Sequence, residues 1–155
     1  MLEKSYIKFL DDLKIQIKQS RIKAHLAVNH ELILLYYKIG LAILEKQKEE
    51  GWGAKIIERV AKDLKQEFPE MTGLSKRNLE FIPQFASSYQ ILFLKQLVSE
   101  MNSSAIFNIP WGHNITILQT IDNSKERLWY ASQTVENGWS RNVLMHHIKS
   151  KFLFN

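Results

Sequence analysis

The chain has 155 residues, 45% of them hydrophobic and 24% charged, the proportions of a globular unit of one domain or two small ones. It contains no cysteine, which excludes disulfides, cysteine-based zinc sites and thiol catalysis and permits a reducing compartment. Lys and Arg together number 21 against 16 Asp and Glu, a net charge of +5, so the balance suits a phosphate-bearing partner without requiring one.

The opening MLEKSYIKFLDDLK mixes acids and bases and has no apolar block, so it reads neither as a signal peptide nor as a membrane span, and a cytoplasmic location is expected. Six Gly and three Pro mean few turns and long elements, and the whole chain reads as all-α. In residues 2 to 20, Tyr6, Leu10, Leu13 and Ile17 recur at spacings of three and four, the pattern of one buried helical stripe. Residues 24 to 49 read as a single central helix with Leu32, Leu35, Tyr36, Ile39 and Ile43 on one face, closed by EKQKEEGWG. Asn29, inside that helix, reads as a buried polar contact.

From Ala54 to Phe68 a further amphipathic helix is expected, ended by Pro69, which cannot continue the hydrogen-bond ladder. After the link PEMTGL, Ser75 sits as an N-cap before a helix carrying Leu79, Ile82, Phe85, Ala86 and Tyr89, which Pro83 should kink or shorten. Leu92, Leu97, Val98 and Met101 suggest another helix, and SEMNSSAIFNIPWG is the most irregular stretch. A short helix is expected over Asn114 to Ile121, and another begins with Ser124 as cap and ends at Gly138. Ser140 caps the last helix, with Val143, Leu144, His147, Ile148 and Phe152 facing inward.

Two stretches echo each other: GLSKRNL at 73 to 79 and GWSRNVL at 138 to 144. Each joins two expected helices through a Gly-containing turn and a Ser cap, the local order of a helix-turn-helix, whose second helix enters a DNA groove by its amino end. Lys76, Arg77 and Asn78 open the first such helix, and Arg141 and Asn142 the second. A helix amino end is partially positive, and a base there costs about 0.3 to 1 kcal/mol at low salt unless an anion supplies the missing charge. Arg and Asn also suit guanine and adenine edges. The plain alternative is a pair of solvated caps. Lys14, Lys18, Arg21 and His25 form a second basic feature, sharing one face if the first helix runs unbroken through Ser20.

Catalytic signatures are missing: the sequence has no GxxxxGK[ST], HExxH or GxSxG motif, and no Asp or Glu pair set on strands that could hold magnesium for nuclease chemistry. Neither enzyme activity nor a cofactor or metal is expected of this chain alone. His146 and His147 diverge on a helix, His147 toward the core and His146 toward the surface, while His113 is expected to order the PWG turn. Trp111, Trp129 and Trp139 are read as packing groups rather than base-stacking ones.

Asn29 with LLYYKIG, then GWGAKIIERVAKDLKQEFPEMTGLSKRNLEFIPQFASSY, IPWGHN and WYASQTVENGWSRNVL together resemble the N-terminal domain of the YhcG-type bacterial proteins, over residues from about 20 to 150. In that family the domain usually precedes a PD-(D/E)XK nuclease domain, so the resemblance implies a DNA-related role beside a cleaving module. Tyr37 stands where the family often has Trp, and Ile82-Pro83 where Met-Arg is common, which removes one basic contact from the first echo's helix.

The expected architecture is one all-helical domain over 1–155: long helices over 1–50, a first helix-turn-helix-like unit over 53–90 and a second over 112–153, with the nuclease domain absent. The leading expectation is a duplex-DNA-binding accessory domain that positions a nuclease domain in cis or in trans. The rival is an interaction or homodimerisation module using an exposed aromatic patch of Phe81, Phe85, Tyr89 and Phe93; RNA binding is a third reading.

Overall fold

The computed structural model describes residues 2–94 and 105–151, and every regular element among them is helical. The fold class is therefore all-α. Helix α1 spans Leu2–Val28, α2 His30–Glu50, α3 Ala54–Glu67 and α4 Lys76–Leu94. A 3-10 turn over Ala105–Asn108 leads to α5 at Trp111–Thr120, α6 at Ser124–Asn137 and α7 at Arg141–Lys149. Contacts group these elements into two units, residues 32–102 and residues 1–31 with 103–155.

In the unit of residues 32–102, α3 packs on α4, and the aromatic residues of α2 and α4 form the centre. Tyr37 meets Phe85 edge-on with ring centroids 6.3 Å apart, and Phe85 meets Tyr89 likewise at 5.5 Å, geometries that align positive ring edges with negative faces. Burial raises the pKa of the Tyr36 and Tyr37 phenols above the ordinary tyrosine value, because the phenolate would lose its hydration. Gly40 sits where α2 crosses α4: a Cβ there would lie 2.7 Å from both the Ala86 Cβ and the Ile82 carbonyl oxygen. Only a residue without a side chain lets the two backbones come so near.

Pro83 neither ends nor shortens α4, which continues to Leu94. Its missing N–H deprives the Leu79 carbonyl of one helical partner, but Leu79, Ile82 and Pro83 are buried, and burial of this face stabilises the helix across the defect. The aromatic patch expected of the rival reading is not exposed. Phe85 and Tyr89 are wholly buried and Phe81 is half-buried, while the side chain of Phe93 lies outside the described residues.

In the other unit, α5 packs on α6 and α7, α6 packs on α7, and α1 packs on α6 and on the 3-10 turn. Ile106, Phe107, Ile109, Ile117, Tyr130, Ala131 and Leu144 form its core. His30, the first residue of α2, belongs to this unit, and its Nδ1 lies 2.8 Å from Asn108 Oδ1. Arg127 on α6 donates to the Ile121 and Leu118 carbonyls, placing a cation on the negative end of α5.

The single helix expected over residues 24 to 49 is two helices meeting at Asn29, which is a turn residue; Asn tolerates turn geometry, and an apolar pattern on both sides conceals such a break. The cap of α6 is Asn123, whose Oδ1 accepts from the Glu126 amide at 3.0 Å, one residue before the expected Ser124. The stripe on α1 is not buried: Tyr6, Leu13 and Ile17 are exposed and Leu10 half-buried, because periodicity marks a face that gains by burial without specifying what buries it. Val143 is likewise exposed. The helix expected on Leu97, Val98 and Met101, and the burial expected for Phe152, lie outside the described residues.

Candidate nucleic-acid interface

The first echo is built on the link between α3 and α4. Leu74 is buried, the Leu79 amide donates to the Ser75 carbonyl at 2.8 Å, and the Ser75 hydroxyl accepts from the Asn78 amide at 3.3 Å. The cap thus satisfies an amide that the helix cannot. Asn78 turns its side-chain amide back to the Gly73 carbonyl at 3.2 Å and is half-buried, so it braces the turn. Lys76 and Arg77 are exposed, and α4 has no acid in its first turn. Lys76 Nζ lies 3.6 Å from Glu58 of α3, an exposed pair of the kind that contributes little. Beside it, α3 and the link enclose a surface depression lined by Glu58, Lys62, Lys65, Ser75 and Lys76. Three lysines against one glutamate give the lining of this recess an excess of positive charge. Lys62 and Lys65 are absent from the residues that the sequence singled out; the available signal was their spacing of three on the same helix as Glu58.

The second echo opens with the three-residue turn, 138–140, between α6 and α7. Gly138 closes α6 in the left-handed region at φ 66° and ψ 42°, its amide bonded to the Thr134 carbonyl. Trp139 is buried and stacks on the His147 ring with centroids 4.3 Å apart, and the Ser140 hydroxyl accepts from the Val143 amide at 3.3 Å. Arg141 and Asn142 are exposed, again with no acid in the first turn. His146 and Lys149 are exposed on the same side of the helix, completing a polar and basic outward face.

Helix α5 positions this face. Thr116 Oγ1 accepts from Arg141 Nε at 2.9 Å, and Nε2 of the buried His113 lies 3.0 Å from the Trp139 carbonyl. His113 therefore anchors the turn before α7 rather than the PWG turn expected of it. Gly112 faces the Arg141 side chain, where a Cβ would approach its Cδ to 3.8 Å. Asn114 Nδ2 donates to the Ile106 carbonyl at 3.0 Å, tying α5 to the 3-10 turn. Gly112, His113 and Asn114 thus each meet a neighbour distant in sequence or on the adjoining 3-10 turn. Trp111 and Trp129 are half-buried.

On α1, unbroken from Leu2 to Val28, Lys14, Lys18 and Arg21 are exposed on one face; the side chain of His25 is outside the described residues. These three belong to the unit that holds Arg141 and Asn142, whereas Lys76, Arg77 and Asn78 belong to the other. Among the described residues no cluster of three His, Asp or Glu could hold a metal ion, and no helix is long and apolar enough to cross a membrane.

A family model described as DUF1016 N-terminal domain matches residues 12–154. No curated protein and no solved structure matches the chain.

Proposed function

The chain belongs to the family of DUF1016 N-terminal domains, and from that premise we propose that it binds duplex DNA through the amino ends of α4 and α7 and positions a PD-(D/E)XK nuclease domain carried in cis or in trans. The observation that carries this reading is the pair of Ser-capped helix starts, each with exposed bases and no acid in its first turn. A bound phosphate would meet free amides, the helix dipole and basic side chains together at each of them. The short turn from α6 to α7 suits entry of α7 into a major groove, with Arg141 and Asn142 leading. The recess of Lys62, Lys65 and Lys76 suits a phosphate backbone, which carries no sequence information.

The test is a salt-titrated binding isotherm on a random-sequence duplex. Arg77→Ala combined with Arg141→Ala is expected to weaken binding about tenfold at moderate salt and to flatten the salt dependence by about one unit of slope per lost phosphate contact. Unchanged isotherms from a folded double variant would remove the reading. Because Arg141 is tethered, Thr116→Val serves as the control: it releases the tether and keeps the charge, so its loss of affinity should be the smaller one. Competition by single strands and by RNA separates duplex binding from the other nucleic-acid readings.

A further inference from the structure

The described residues leave one long apolar surface uncovered. On α1, Tyr6 is 59% exposed, Phe9 61%, Leu13 36% and Ile17 53%. Placed at about 100° per residue, these four fall with Leu10 in a sector roughly 100° wide that contains no charge. Glu3, Lys14 and Arg21 border it on one edge, and Ser5 and Gln16 on the other. Exposed apolar residues elsewhere among the described residues are scattered singly, as on any surface, whereas this stripe is continuous over three turns.

We propose that this stripe pairs antiparallel with the same stripe on a second copy of the chain, Leu10 opposite the partner's Leu13 and Tyr6 opposite the partner's Ile17. Two observations select a second copy as the occupant. The first is charge: in this register Glu3 of each copy comes beside the partner's Arg21, giving two ion pairs related by the two-fold. A parallel pairing would instead set the edge with Glu3 and Arg21 against the partner's uncharged edge of Ser5 and Gln16 and form neither ion pair. The second is area: five side chains of this size and exposure offer roughly 500 Å² per copy, so the pair removes about 1,000 Å² from water, near the lower bound for a specific interface. The contact is self-complementary, as a two-fold dimer requires. It also assigns Arg21 to the interface and leaves Lys14 and Lys18 as the basic members of that helix facing solvent.

Sedimentation velocity over a concentration series tests the pairing. The unaltered chain should pass from monomer to dimer in the micromolar range, and Leu13→Asp, a change at an exposed site whose circular dichroism should match that of the unaltered chain, should abolish the dimer. Glu3→Arg alone and Arg21→Glu alone should each weaken it about threefold to tenfold, and the double exchange should restore it. A chain monomeric at every concentration, or a dimer indifferent to Leu13→Asp, overturns the proposal. Failure of the double exchange to restore what the single changes lose overturns the antiparallel register. None of these outcomes depends on DNA, so the pairing stands or falls separately from the proposed function.

Discussion

The two echoed turns share three features and differ in a fourth. In each, an apolar residue is buried before the cap, Leu74 in one and Trp139 in the other; a serine accepts the amide three residues on; and a leucine, Leu79 or Leu144, is wholly buried in the first turn of the helix. The glycines do different work. Gly138 has a positive φ, which a residue with a Cβ adopts only at a cost. Gly73 is not in that region; a side chain there would collide with the Tyr36 hydroxyl from α2. One glycine is demanded by the backbone and the other by a neighbour, so the shared letters arise from two separate requirements.

Substitution separates these requirements most sharply at the glycines. Gly73→Ala should cost about 1–3 kcal/mol by overpacking, and Tyr36→Phe, which removes the obstructing oxygen, should recover part of the loss in urea denaturation. Gly138→Ala should cost about 1–2 kcal/mol with no recovery from Tyr36→Phe, while Gly138→Asn should cost less because Asn tolerates the left-handed region. Equal rescue of both glycine variants by Tyr36→Phe would erase the distinction.

The caps should instead behave alike: Ser75→Ala and Ser140→Ala should each lose about 1 kcal/mol, measured the same way. The smallest effect at neutral pH, none at all, belongs to the phenols of Tyr36 and Tyr37. Their folded pKa values lie above the unfolded value of 10.0, so the folded state holds its protons longer. The stabilisation is complete below pH 10.0 and is lost as pH rises through the folded values. Alkaline titration should therefore loosen the unit of residues 32–102 above pH 10.0, and replacing both tyrosines with Phe should flatten that limb.

Features with local causes were legible in the sequence. The all-α class, the boundary of α3 near Phe68 and the end of α6 at Gly138 could be read because each is set within a few residues of its signal, by periodicity, proline or glycine. The break at Asn29 could not, because both flanking helices are apolar and the pattern runs through it. The supports of the second echo were hidden too: Thr116 and Arg141 are 25 residues apart, His113 and Trp139 are 26 apart, and no spacing rule reaches that far. Lys62 and Lys65 were visible but carried no meaning until the link folded Ser75 and Lys76 beside them.

The bond between Arg141 Nε and Thr116 Oγ1 limits how the guanidinium can meet an anion. A free arginine can offer a carboxylate or phosphate either the side of its guanidinium, through Nε, or the end, through its two terminal nitrogens. With Nε held by Thr116, the end is the approach left open. Much of the side chain's rotational freedom, worth about 2 kcal/mol in an untethered arginine, has then been surrendered when the protein folds rather than when a ligand arrives. Arg141 therefore acts as an aimed two-pronged donor, and a lysine in its place would keep the charge and lose the aim.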